Sequence, residues 1–356
     1  MSNNTNRIYY LDFLRCIACF AVVAIHSTAD YVFNRGLGNK VLWAFSLSLN
    51  ALSHWAVPVF IMVSGGLLLK RYGSLKTQDV RAFYKKRFGR MSILIVVWST
   101  IYLAWVALYR HNEVNFHTVV HDLLLGNTFM HLYFLFLILG LYFITPFLAN
   151  LCQQLTRKQL YYFSIGLILA AGVWHGIYFF ANHMQPPSLN IFGQWIPYIG
   201  YYVAGYAGIT ILERTKVISK KLIVLAIIPS VLMVIAIYLA VKLWGGTLYF
   251  HEYIMPLGAL QALGIFVLGK AAYDWLHKVG GERVNGMIRF FAPLTLGIYL
   301  IHIIFLDLFK KIIVPEGEAH STIQVVILLL ATFVVSACSV YVIRQSVFAR
   351  KYILPE

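Results

Sequence analysis

Charge is what this sequence has least of. Only 12% of its 356 residues are Asp, Glu, Lys or Arg, and only 13 are acidic, where soluble domains carry about 25% charged residues. So little charge cannot cover a water-facing surface, and a soluble globular fold is excluded. Cysteine is nearly as scarce. Of the four, Cys16, Cys19 and Cys338 fall inside apolar stretches and Cys152 at the end of one, so no disulfide framework is expected and packing is the role of each. No low-complexity segment is visible, nor any repeat of about 20–50 residues, which removes solenoids and propellers.

What fills the chain is hydrophobicity. It is 60% apolar and 16% aromatic, with a mean hydropathy of +0.74, a composition suited to long lipid-facing and interfacial surfaces. A window of about 20 residues per crossing picks out ten spans, near 8–29, 48–69, 91–109, 130–150, 160–181, 195–212, 222–241, 253–273, 290–309 and 321–343. The second is open to extension upstream through VLWAFSLSLN. The expected fold is all-α: a polytopic transmembrane helical bundle of about ten spans, forming one integral membrane domain over residues 1–356. No appended soluble domain is expected, because only thirteen residues follow the last span.

The net charge of +16 would suit a nucleic-acid partner, but its distribution points elsewhere. With alternate connections assigned to opposite sides, one side collects 22 Lys and Arg residues and the other six, Arg15 completing the total of 29. The dense side includes Arg7 and the eight basic residues from Lys70 to Arg90, and the sparse side Arg35, Lys40, Arg110, Lys242, Lys310 and Lys311. That asymmetry is the positive-inside pattern, which places both termini in the cytoplasm and leaves no surplus charge for a nucleic acid. The first span has little basic lead-in and no small-residue cleavage site, so it reads as retained, not as a signal peptide.

That first span, LDFLRCIACFAVVAIHSTAD (11–30), keeps four ionisable residues that are costly to take out of water. At about 100° per residue, with Asp12 at 0°, Arg15 falls near 300°, His26 near 320° and Asp30 near 0°. All four share an arc of roughly 60°, and Arg15 and His26 stand almost in line, about 16 Å apart along the axis. Asp12 and Arg15 form an i, i+3 pair able to neutralise each other. A stripe of this kind faces the bundle interior or a wet cavity, since each charge left in lipid costs about 2.5–3.5 kcal/mol or more. Taken singly, each residue also has a plainer reading: interfacial Asp, snorkelling Arg, packing His.

The stretch LDFLRCIACFAVVAIH resembles the first helix of the acyltransferase-3 family of bacterial membrane acyltransferases, whose mark is an Arg, ten intervening residues, then a His; Arg15 and His26 match. AVPVFIMVSGGLLLK (56–70) resembles the family's second span and YKKRFGRM (84–91) its basic approach to the third. HLYFLFLILGLYFITPFL (131–148), YIGYYVAGYAG (198–208) and LTLGIYLIH (294–302) resemble later segments. The resemblance implies transfer of an acyl group, usually acetyl, from cytoplasmic acyl-CoA as co-substrate to a hydroxyl on a glycan, a lipid-linked glycan precursor or a related envelope molecule, in a bacterial cytoplasmic membrane. Some relatives carry a fused extracytoplasmic domain. Without one, the chain acts on its acceptor directly or through a separate extracytoplasmic partner.

The residues fit that chemistry. A sugar hydroxyl is a poor nucleophile, and His is the side chain whose unperturbed pKa suits a base near neutrality. His26 is the candidate general base, or the transient carrier of an acyl-imidazole; the sequence leaves both schemes open. Asp30, one turn on, either orients that imidazole or is an interfacial Asp. Arg15 either steadies the thioester end of the donor or pairs with Asp12 and shapes the cavity. CoA phosphates want Arg forks, and Arg87 and Arg90, three apart where the third span begins, are the candidates; Arg81, Lys85 and Lys86 read as topology signal. Tyr299 and His302 form an i, i+3 pair expected to line the cavity or to pack in the core. Ser64, in VSGG, reads mainly as a close-packing residue. His111, His117 and His121 precede the fourth span, and His251 and Glu252 lie in a later outer loop; no metal site is expected from the former, and the latter are explained by loop polarity. A reading from another class, a flippase of lipid-linked glycan using the same polar cavity, lacks the Gly/Pro-broken pair of spans in corresponding halves that marks inverted repeats. A third is a catalytically idle sensor or assembly partner.

Overall fold

The computed structural model describes residues 7–33, 39–72, 77–109, 115, 119, 121, 129–182, 192–215, 218–244, 253–314 and 320–354. Among these residues 88% are helical and none forms a strand. The helices are α1 (Tyr9–Phe33), α2 (Lys40–Ser53), α3 (Ala56–Tyr72), α4 (Thr77–Leu108), α5 (Tyr133–Gln154), α6 (Arg157–Ala181), α7 (Ile199–Leu212), α8 (Lys220–Trp244), α9 (Pro256–Gly280), α10 (Glu282–Phe291), α11 (Thr295–Ile313) and α12 (Thr322–Ile343). In a hydrocarbon layer every backbone polar group must be satisfied within the segment, which is why apolar sequence of this kind becomes helix.

Nine helical stretches among the described residues are long and apolar enough to cross a bilayer, and each falls on a predicted span. The sixth predicted span, 195–212, is the exception. Its apolar helix, Ile196–Leu212, opens with a 3₁₀ turn at Pro197 and is shorter than 18 residues, so at about 1.5 Å per residue it falls short of the roughly 30 Å hydrocarbon layer. The second span does reach upstream, as Lys40–Tyr72, 33 residues long, but it is broken at His54 and Trp55. Pro58 explains the break: its ring clashes with the carbonyl four residues earlier, that of His54, and it brings no N–H. Pro293 acts alike between α10 and α11, where a 3₁₀ turn, Ala292–Leu294, interrupts the ninth span.

The chain forms two compact units, Met1–Val63 with Gly208–Cys338, and Ser64–Ala207 with Ser339–Glu356. In the first, α1 is the hub, packed on α2, α9, α10 and α11, while α8 packs on α9 and α2. Leu11, Leu14, Ala18 and Val23 of α1 are fully enclosed, and Val32, Leu47, Ala51, Met233 and Ile237 tie α1, α2 and α8 together. In the second unit α4 packs on α5 and on a π-helical turn, Ala349–Ile353, near the C-terminus; Trp98 Nε1 donates to the carbonyl of Ile353 there at 2.9 Å. Gly65 of α3 lies so close to α7 that a Cβ at this position would stand 2.0 Å from the Tyr202 carbonyl oxygen. The close approach thus belongs to the glycine beside Ser64, which is itself half-buried. The four cysteines are unbonded.

Candidate functional site

Asp12, Arg15, His26 and Asp30 all lie on α1, so one continuous helix sets their spacing. Asp12 is buried and engages two guanidiniums: Arg7 Nε at 2.6 Å from Oδ2 and Arg15 Nη1 at 3.6 Å from Oδ1. The tight partner is Arg7. Arg15, a third exposed at its side chain, is held loosely, and a guanidinium has five N–H donors to offer.

His26 is half-buried. Its ring centroid lies 5.2 Å from that of His302 on α11, with a tilt of 47° between the planes. His302 is fully enclosed; its Nδ1 lies 2.7 Å from the Tyr299 carbonyl oxygen, and the Tyr299 ring stands 6.0 Å from it. A carbonyl only accepts, so in the neutral imidazole Nδ1 carries the hydrogen and Nε2 the lone pair. The Tyr299/His302 pair therefore stands beside His26. Asp30 is elsewhere engaged: Lys310 Nζ donates to its Oδ2 at 2.6 Å, so the carboxylate one turn beyond His26 closes an ion pair with α11.

A further set of polar residues from α2 reaches the same turn of α1, and sequence reasoning missed it. Asn50, 1% exposed, donates through Nδ2 to the Ile25 carbonyl at 3.0 Å and to Thr28 Oγ1 at 2.9 Å. It therefore clasps α1 on both sides of His26, through a backbone carbonyl before it and a side-chain hydroxyl after it. Thr28 passes its own hydrogen to the Ala24 carbonyl at 2.8 Å. His54 holds the Asn50 carbonyl through Nδ1 at 2.9 Å and stands 5.3 Å from the Tyr253 ring, while Gln261 of α9 donates to the Ala51 carbonyl at 3.0 Å. A signal was present: Ser46, Asn50, Ser53 and His54, all buried, lie within an arc of about 100° on α2, a polar stripe inside VLWAFSLSLNALSH.

In the second unit, α4 sorts its basic residues by face. Arg81, Lys85 and Lys86 are exposed, whereas Arg87 and Arg90 are half-buried on the side of buried Phe83. Arg87 lies over the Tyr142 ring, 5.8 Å from its centroid, and its Nε is enclosed without a hydrogen-bond partner. Nearby, Tyr202 OH and Thr145 Oγ1 are 2.8 Å apart, and the Thr145 hydroxyl lies 2.8 Å from the Leu141 carbonyl. An inward guanidinium with an unused donor is a group suited to an anion. His111, His117, His251 and Glu252 lie outside the described residues, as do Arg35, Arg110 and Ser74; His121 is exposed.

Compared with known proteins, the chain matches the family model described as an acyltransferase domain over residues 8–341, which runs through both compact units. No curated protein and no solved structure matches it. With all but the two ends of the chain covered, and with Arg15, His26, Arg87, Arg90, Tyr299 and His302 all inside the matched range, the protein belongs to the acyltransferase-3 family.

Proposed function

We propose that this membrane acyltransferase moves an acyl group, acetyl in the simplest case, from cytoplasmic acyl-CoA to a hydroxyl of a cell-surface glycan or its lipid-linked precursor in a bacterial cytoplasmic membrane. The observation that carries the reading is the placement of His26. It is a half-buried imidazole three turns along α1 from Arg15 and beside a second imidazole, in a chain of an acyltransferase family. In the direct scheme His26 takes the proton of the acceptor hydroxyl, the oxygen bonds to the thioester carbonyl carbon, and the carbon–sulfur bond breaks to release CoA. In the covalent scheme His26 first receives the acyl group and then yields it to the hydroxyl. Arg15 stabilises negative charge on the thioester oxygen, with Asp12 holding it in the span. Arg87 and Arg90 meet the phosphates of the donor.

The test uses the full chain in nanodiscs with labelled acetyl-CoA and an extract of lipid-linked envelope glycans. Wild type is expected to release CoA and to add one acetyl group to a glycan, read by mass spectrometry. His26→Ala is expected to lose both while eluting as an intact monodisperse protein. Full turnover in His26→Ala removes the proposed base. Glycan movement across vesicles with no need for CoA establishes the flippase instead.

A further inference from the structure

Resting on the acyltransferase reading, we infer that His302 is the proton acceptor behind His26, so that the two imidazoles work as one relay. Asp30, the carboxylate one turn on that would orient the imidazole or sit at the interface, is bonded to Lys310. The group that stands against the His26 ring is His302, 5.2 Å away between centroids; His302 Nε2 makes no direct hydrogen bond to that ring, and one bridging water spans such a gap between ring nitrogens. His302 is fixed for the task. The Tyr299 carbonyl claims its Nδ1–H, which leaves Nε2 as its basic atom, and complete enclosure holds the ring in place.

The step balances. His26 takes the hydroxyl proton as the oxygen attacks the thioester; its second ring nitrogen hands a proton to His302 Nε2; and the thiolate that leaves with the carbon–sulfur electrons is finally protonated from the relay. Two imidazoles must therefore be uncharged at the start, His26 to take the proton and His302 to receive one. A protonated His302 would oppose a second positive charge beside it.

The other titratable groups around His26 are few. Lys310 and His54 act on it electrostatically along with His302, and Lys310 is bonded to Asp30 of the same helix as His26. His320 stands over Tyr31, further along α1. The charges of α9 and α10 gather at the opposite end, with Lys270 over Tyr10 and Arg289 over Tyr9, paired with Asp274 and Glu282 respectively.

The experiment measures kcat/KM against pH for the full chain in nanodiscs, with acetyl-CoA and the same glycan extract. In wild type the acid limb is expected to fall about two decades per pH unit, one for each imidazole that must be neutral. In His302→Gln, which keeps an acceptor atom near the position of Nε2 but cannot hold a proton, the limb is expected to fall about one decade per unit, with kcat at least tenfold lower and the KM for acetyl-CoA within twofold. His302→Asn, which keeps a donor for the Tyr299 carbonyl, is expected to behave alike. A one-decade limb in wild type, or a two-decade limb in either variant, overturns the relay and leaves His302 as a packing residue, and the wild-type limb decides the matter even if the variants do not fold. If wild type releases no CoA at any pH, the acyltransferase reading itself fails and takes the relay with it.

Discussion

Single side chains near the ends of α1 and α4 behave as their chemistry demands once neighbours are supplied. Asp12 was legible as a partner of Arg15 from the i, i+3 spacing, but its tighter partner, Arg7 at 2.6 Å, comes from before the helix, where periodicity has no reach. Asp30 shows the same limit more sharply. Its position on the polar stripe followed from helix geometry, while its partner Lys310 lies 280 residues away in sequence, and no spacing rule connects them. That Arg87 and Arg90 share a face was readable from their i, i+3 spacing, but Lys86 is i, i+4 from Arg90, so its exposure beside two half-buried arginines was decided by packing and not by periodicity. Removing both inward arginines tests the donor assignment. Each charge-assisted bond lost is worth about 1.5–3 kcal/mol, so Arg87→Ala with Arg90→Ala is expected to raise the KM for acetyl-CoA at least tenfold in initial-rate measurements while the KM for the glycan stays within twofold. Equal rises in both would show a general disturbance of the second unit.

Helices here owe their existence to composition and their contacts to a few small or polar residues. A hydropathy window found the spans, but it averages over faces and so passed over the buried stripe Ser46, Asn50, Ser53 and His54 on α2, the element that clasps α1 on both sides of His26. Glycine carries comparable information. A Cβ on Gly65 would meet the Tyr202 backbone at 2.0 Å, whereas one on Gly166 would meet nothing within 4 Å. Thermal unfolding of the purified chain, followed by size-exclusion fluorescence, should separate the two. Gly65→Ala forces α3 and α7 apart and is expected to destabilise by about 1–3 kcal/mol or more. Gly166→Ala is expected to be neutral or to stabilise by up to about 1 kcal/mol, through helix propensity and loss of unfolded-state entropy.

For the whole molecule the topology turns on the short apolar helix Ile196–Leu212. The split of 22 basic residues against six assumes that it crosses. If it does, single cysteines replacing Asn182 and Thr215, in a background lacking the four native cysteines, label with an impermeant maleimide from opposite faces of oriented vesicles, Asn182→Cys from outside and Thr215→Cys from the cytoplasm. Labelling of both from one face would make the helix re-entrant and invert every later span.

The sequence by itself determined that the protein is an all-helical membrane protein of the acyltransferase-3 family. Lipid leaves the backbone few alternatives, and an Arg and a His eleven residues apart on one helix are lined up by the pitch of that helix alone. Only the tertiary structure decided what stands around His26: His302 and Lys310 from α11, and Asn50 and His54 from the second helix and its end. Those partners are set by which helix packs on which, through close contacts between residues far apart in the chain, and a local periodicity carries no record of that.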